Sequence, residues 1–282
     1  MFGSETAVIC WGACAAASWG AGDFSGGLAS KKGSVLSVLV VSQAAGGLIL
    51  LALALGCGQK FPGPGDMLIG GLAGLCGALG IICLYSGLAR GRMGVVAPLS
   101  AVTAAMVPIL FSIATSGFPG PLKLIGFGGG LISIWLLSRG PASSRPGFAE
   151  MLNSLAAGTG FGLFFILVDQ IRGQSYFWPL FAARLASVAF LSCLILGKGG
   201  FKSGRGTQAW FLTILAGILD TAGNVFFFLA TRAGRLDAAV MSTSLYPAVT
   251  VILAFVLLKE RLGPSQWIGV VSAMLALGLI AS

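Results

Sequence analysis

The sequence contains no histidine, and only 9% of its 282 residues carry charge. Without histidine no Ser-His-Asp or Cys-His nucleophilic site can be assembled, and the common imidazole zinc ligand is missing. The six cysteines, Cys10, Cys14, Cys57, Cys76, Cys83 and Cys193, contain no CxxC pair. Most lie in apolar segments, so neither a disulfide framework nor a metal site is expected. Cys10 and Cys14, one helical turn apart, read as small packing residues. A GxxxxGK[ST] phosphate loop is also lacking. The glycine pattern 158-GTGFG-162 lies inside an apolar run, not in the strand–turn–helix setting that a nucleotide loop needs. No cofactor is expected. The opening MFGSETAVIC has no basic n-region, so the first apolar segment is expected to stay as a helix rather than leave as a secretory leader.

What the chain does have is apolar length. Hydrophobic residues make up 56% of it, and its mean hydropathy is +0.96. A soluble domain usually carries about 25% charged residues, and this chain cannot supply that polar surface. The stretch 242-STSLYPAVTVILAFVLLKERLG-263 shows the pattern: an apolar run that stops abruptly at Lys259, Glu260 and Arg261. It reads as a membrane span meeting water. Ten such segments follow one another, at 7–29, 34–55, 67–89, 94–115, 122–138, 151–171, 176–196, 209–231, 237–258 and 264–281. Most approach the ~20 residues that cross a hydrocarbon core of ~30 Å. They run about twice the length of a barrel strand and lack period-two alternation. The fold class is therefore all-α: a polytopic membrane protein. Short Gly/Pro-rich connections such as GCGQKFPGPGD and SRGPASSRPG separate the runs and leave no room for a soluble domain.

The formal net charge of +9 comes mostly from Lys and Arg in these gaps. They form no basic domain, which argues for topology and against a nucleic-acid partner. Eleven of the 17 lie in the connections after the odd-numbered spans, five after the even ones, and Arg184 sits within a span. That bias puts the odd connections in the cytoplasm and both termini outside.

The two halves of the chain echo each other. At an offset of 143 residues, 92-RMGVVAPLSAVTAAMVPIL-110 aligns with 235-RLDAAVMSTSLYPAVTVIL-253, Gly120-Pro121 with Gly263-Pro264, and Gly126 with Gly269. The unit is five spans, an odd number, so the second copy should enter the membrane from the opposite side. The expected organisation is two inverted five-helix repeats around a central cavity, at 1–140 and 151–282, joined by a linker at 141–150. Inverted repeats suit alternating access about a midplane site. The 44 glycines would be costly in soluble helices. Between membrane helices they permit close backbone approach.

Polar groups inside spans are the candidates for function, because a charge in hydrocarbon seeks a partner or a wet cavity. Arg184 lies mid-span in the seventh helix, and Asp220 mid-span in the eighth with Asn224 one turn on. Arg184 and Asp220 can pair between consecutive helices, either as a structural ion pair or at a substrate or proton site. Asp23 and Asp169 lie late in spans one and six; each reads as an interfacial acid or as a cavity-mouth carboxylate that attracts a cation or titrates. The aromatic candidates in or near the expected lining helices are Trp19, Phe24, Tyr85, Phe161, Phe164, Phe165, Trp178 and Tyr246, with Tyr176 and Trp178 also fitting an interfacial belt. Ser18, Ser42, Ser100, Thr103, Ser242, Thr243 and Ser244 are the hydroxyl candidates, although many membrane hydroxyls merely bond their own backbone. The cluster 242-STSLYP-247 gathers three hydroxyls, a phenol and a proline that releases a backbone carbonyl. Aromatic walls with hydroxyls would suit an amphipathic ligand such as an amino acid.

The stretch 245-LYPAVTVILAFVLLKERLGPSQWIGVVSAMLALGLIAS-282 resembles the EamA-type transporters of the drug/metabolite transporter superfamily. It shows an apolar helix, a Glu-containing turn and a last helix opening near Gln266-Trp267-Ile268-Gly269. The first copy, PLSAVTAAMVPILFSIATSGFPGPLKLIGFGGGLI, is weaker, since Gly117 stands where Glu260 does. Trp19-Gly20 is similar to the family's Trp-Gly in the first helix. The resemblance implies a basket of helices in which one, three, four, six, eight and nine line a path and five and ten are peripheral. It implies a secondary transporter, not an enzyme, that exports amino acids or related small metabolites from a bacterial inner (plasma) membrane. Drugs or lipophilic cations are the alternative cargo, and sugars or nucleotide sugars a less favoured one. A monomer in lipid should suffice. A lipid-directed membrane enzyme would need a catalytic cluster that the sequence does not offer, and a channel would be distinguished by flux that does not saturate.

Overall fold

The computed structural model of the protein describes residues 4–116, 120–138, 146–171, 173, 175–201, 207–233, 242–243 and 245–281. Ten helices carry the fold: α1 Ser4–Lys32, α2 Val35–Gly56, α3 Pro64–Arg90, α4 Met93–Ser116, α5 Pro121–Ser138, α6 Phe148–Asp169, α7 Phe177–Gly197, α8 Thr207–Ala233, α9 Tyr246–Leu258 and α10 Pro264–Ala281. There are no strands among the described residues. The ten expected spans fall on these ten helices. The ninth is the main difference: α9 begins at Tyr246, while residues 237–241 of the expected span lie outside the described residues.

Local chemistry explains the helix ends. Pro64, Pro121 and Pro264 each open a helix, where the missing N–H would have had no partner in any case. α7 stops at two glycines in the left-handed region, Gly199 (φ 86°) and Gly200 (φ 99°), and the Gly200 N–H turns back to Ile195 O at 3.0 Å. Residues with side chains rarely adopt that backbone. α9 ends without a glycine. Lys259 itself takes a left-handed backbone, φ 55° and ψ 34°, and the next N–H, of Glu260, returns to Ala254 O at 3.3 Å.

Six helices, α2, α3, α4, α6, α7 and α8, are long and apolar enough to cross a membrane, while α5, α9 and α10 are shorter apolar helices. α1 has 29 residues but is rich in Gly, Ala and Ser. Its C-terminal half is largely buried in protein, so it has less need of lipid-facing bulk. Large side chains point outward elsewhere: Leu48, Leu79, Ile132 and Leu257 are exposed, as expected where acyl chains are the solvent.

The packing has the symmetry of a duplication. α1 packs on α8 and α3 on α6; α4 packs on α6 and α1 on α9; α3 packs on α7 and α2 on α8. Exchanging each helix with the one five places along converts the first member of each pair into the second. α5 on α10 and α2 on α7 map onto themselves. The helix bounds obey the same relation: α3 and α8 start at 64 and 207, and α5 and α10 at 121 and 264, each 143 apart. Gly74 lets α3 reach the Ala183 backbone of α7, and its repeat counterpart Gly217 lets α8 reach the Ser42 backbone of α2. A Cβ at either position would collide with backbone. The chain is thus two inverted five-helix repeats, and its most extensive interfaces join one repeat to the other.

Candidate functional site

A cavity of about 160 Å³ lies among α1, α2, α3, α6, α7, α8 and α9. One side of it is filled. Phe24, Leu39, Ile81, Leu84, Tyr85, Leu88, Met93 and Val96, from the halves of α1 to α4 nearest the odd-numbered connections, belong to a single buried cluster, to which Ala157 of α6, Leu191 of α7 and Ala254 of α9 also belong. Towards the even-numbered connections, the cavity wall reaches the helix ends. Leu180 lies in the first turn of α7, Phe165 in the last two turns of α6, and Tyr246 starts α9. The cavity is therefore floored on the Lys/Arg-rich face and opens towards the opposite face.

Its polar centre is made by three helices. Arg184 of α7 forms an ion pair with Asp220 of α8 and donates through Nη1 to Gln43 Oε1 of α2 at 2.5 Å. The guanidinium is thus met on two sides, and the two ion-pair side chains keep 16% and 28% exposure, so the pair is wetted by the cavity rather than sealed. Asn224, one turn beyond Asp220, donates to the Asp220 carbonyl at 2.8 Å and also lines the wall. Asp23 of α1 lines the same cavity. Among the described residues it has no hydrogen bond and no ion pair. The cavity therefore holds two carboxylates and one guanidinium, and the guanidinium is already engaged.

Aromatic rings enclose this centre. Trp19 meets Tyr246 edge-on at 6.2 Å and Phe227 at 5.8 Å. Phe161, Phe164 and Phe165 of α6 form the opposite wall, with Phe164 and Phe165 edge-on at 5.7 Å. Small residues make the room: Gly74 and Gly77 of α3 and Ala183 of α7 line the cavity, as does Ser187, which donates to Gly74 O at 2.8 Å.

Nine sequence candidates thus share one cavity: Trp19, Asp23, Phe161, Phe164, Phe165, Arg184, Asp220, Asn224 and Tyr246. Others lie elsewhere. Tyr85 is 2% exposed, in the floor, with its ring against Gly26. Ser42 donates to Leu39 O at 3.0 Å and packs at the α2–α8 crossing. Ser100 and Thr103 donate to Ala97 O and Leu99 O within α4, at 3.0 and 2.8 Å, and face Gly158 of α6. Ser18 and Thr243 are buried, and Ser242 lies against Gly12 of α1. Ser244 lies outside the described residues. Asp169 ends α6, exposed. Trp178 and Tyr176 sit at the start of α7 near the open face. Trp178 Nε1 donates to Gln59 O at 3.0 Å, and burial against Phe228 pushes the Tyr176 phenol up from its ordinary value. α4 contributes no residue to the cavity wall and α2 and α7 do, which differs from the set of lining helices that the resemblance implied. α5 and α10 pack on each other and on α4, away from the cavity.

Gln43 is the polar group that sequence reasoning passed over. Its signal was present in 41-VSQAAGG-47, a lone amide in the middle of an apolar run. An amide costs less in hydrocarbon than a charge and so drew less notice.

The comparisons with known proteins agree with this architecture. The model of the EamA-like transporter family matches twice, over residues 6–139 and 149–282. The chain belongs to that family. None of the curated proteins compared with it matches in sequence. A solved structure titled only "Crystal structure of protein" is similar over 97% of each chain, with a TM-score of 0.66 and 18% identity; that likeness speaks for the fold alone.

Proposed function

We propose that this member of the EamA-like transporter family is a secondary transporter of small amphipathic metabolites, amino acids first among them, and that it exports them by alternating access from a bacterial inner membrane. Asp23 carries this reading: a carboxylate with no partner among the described residues, facing an aromatic-walled cavity. A protonated amine would neutralise it, while Trp19, Tyr246 and the α6 phenylalanines take up apolar surface and attract the cation by their faces. The Arg184–Asp220–Gln43 group would fix the ligand's polar end by hydrogen bonds and need not give up its own pairing.

The second reading is a lipophilic cation or drug. The paired state of Arg184 favours it, because an amino acid also brings a carboxylate, and the one guanidinium in the wall is already held. Sugars and nucleotide sugars fit less well, the latter because they would need accessible cationic groups. A monomer suffices in this reading, since both repeats contribute to one cavity within one chain.

Uptake into proteoliposomes tests these alternatives. A labelled amino-acid panel and a labelled quaternary-ammonium panel are compared, each with and without an imposed pH gradient. Saturable uptake that unlabelled amino acid blocks is the expected result, and dependence on the gradient would add proton coupling. Saturable uptake of the cations alone would replace the first reading with the second. Uptake of neither class by folded protein would reject both.

A further inference from the structure

Two acids of the second repeat fasten onto the start of one helix of the first. α4 begins at Met93, and the leading N–H groups of a helix have no partner within it. Glu150, in the first turn of α6, accepts from the Arg92 N–H at 3.1 Å. Glu260, in the turn between α9 and α10, accepts from Met93 N–H through Oε1 at 3.1 Å and from Gly94 N–H through Oε2 at 3.0 Å. Hydrogen bonds from backbone N–H to a carboxylate are of the stronger, charge-assisted kind, and a helix start favours negative charge. The left-handed backbone of Lys259 makes the turn that carries Glu260. Glu150 is itself fixed, accepting from Gly147 N–H at 2.6 Å.

These bonds sit over the cavity floor. Met93 and Val96, at the fastened helix start, are both 0% exposed and belong to the floor cluster. The face that is closed by packing is thus also tied across the repeat boundary.

The other face is tied by a neutral amide instead: Gln59 Oε1, in the connection between α2 and α3, accepts from the Tyr176 and Phe177 N–H groups at the start of α7, at 3.2 and 2.9 Å, and the carboxylates have no counterpart there. At the repeat offset of 143, Glu260 corresponds to Gly117 and Glu150 to Ala7. Neither can offer a carboxylate. The packing is two-fold symmetric, and the clasp is not.

We propose that Glu150 and Glu260 form a carboxylate clasp, present on one side only, whose charge-assisted bonds outweigh the amide tie opposite, hold the Lys/Arg-rich face shut and set the resting conformation open to the opposite face. They act as positioning residues, since neither lines the cavity. In an inverted-repeat transporter, opening the floor requires α4 to part from α6 and from the α9–α10 turn. All three bonds to α4 must break together in that step. The inference rests on alternating access and is independent of the substrate.

Hydrogen–deuterium exchange on the whole protein in lipid nanodiscs, without substrate, tests the clasp. Glu260→Ala is expected to speed exchange at least threefold in peptides covering 91–99. It is also expected to slow exchange by a similar factor at the opposite face, over 177–183 and 246–250. Glu260→Gln keeps one acceptor oxygen and should move both faces in the same directions by less; it carries the test if the alanine variant does not accumulate. Glu150→Ala should shift both faces as well. Loss of a helix cap alone would speed exchange near 91–99 and leave the opposite face unchanged, and that result would overturn the proposal. Faster exchange on both faces would overturn it too. Neither result would bear on transport of any particular substrate, which the uptake assay judges separately.

Discussion

Arg184, Asp220 and Asp23 are three ionisable side chains whose repeat counterparts, at the 143-residue offset, are Val41, Gly77 and Ile166. The duplication that copied the packing did not keep the charges in both copies. The cavity is chemically one-sided inside a two-fold scaffold. Asp220→Asn should leave the Arg184 charge without its counter-ion and lower saturable uptake at least tenfold at normal protein level, as measured in proteoliposomes. Asp220→Asn joined with Arg184→Gln should recover much of the thermal stability that either change loses alone, because breaking one side of an ion pair costs more than removing both. It should not recover transport. Melting curves of the four proteins close that cycle. Among the described residues Asp23 has no partner to orphan, so Asp23→Asn should melt like the parent; if the proposed amine-bearing ligand binds there, the variant should lose the stabilisation that ligand would give the parent, about 2.7 kcal/mol at a hundredfold excess over Kd. These groups were visible in the sequence because a charge in the middle of an apolar run is rare. The hydroxyls were harder to read. Ser42, Ser100 and Thr103 spend their protons on backbone carbonyls of their own helices, and nothing in the sequence distinguishes such a hydroxyl from one that faces a cavity.

At the scale of the helix, glycine separates two situations that composition merges. Gly74 and Gly217 stand where another helix's backbone passes too close for any side chain. Gly128 of α5 has nothing within 4 Å of where a Cβ would be. Gly74→Val and Gly217→Val should therefore each destabilise the protein by about 1–3 kcal/mol or more, as overpacking does. Gly128→Ala should be neutral or stabilise by up to about 1 kcal/mol, since alanine loses less freedom in a helix interior. Thermal unfolding in detergent, read by intrinsic tryptophan fluorescence, would rank them. The helices themselves were readable as apolar runs bounded by Pro, Gly and charge. Their neighbours were not: nothing in the order of α1 and α8 along the chain says that they lie together. The helices that line the cavity depend on those pairings. That is why the lining set implied by the resemblance named α4 and left out α2 and α7, although Ser42 and Arg184 of those two helices were themselves candidates.

For the whole molecule, the interlocking of repeats matters more than their sequence boundary. α1 leans on α8, α6 on α3, and α10 on α5, so each half lacks its main partners when alone. Chains covering 1–146 and 147–282, expressed together, should assemble into a protein that melts as one unit, whereas either expressed singly should be degraded. Co-purification through a tag on one half reads this directly, and a first half that is stable by itself would contradict it. The duplication was legible in the sequence from pairs such as Gly120-Pro121 and Gly263-Pro264. The interlock was not, because it is a property of which faces meet.

The pairing of α1 with α8 also has a consequence for biogenesis. α1 leaves the ribosome ahead of α2 to α7, yet the helix it leans on most, α8, follows all of them. Throughout synthesis of the intervening chain, Asp23 must wait in a segment whose final neighbours do not yet exist. An acid in that position is tolerable at a membrane surface and costly deep within lipid, so α1 should settle to its full depth late, when α8 arrives. A defect in α8 would then surface as a failure of the N-terminal helix to be retained at depth. The quality-control machinery of the cell would meet it in a helix about 175 residues away from the change that caused it.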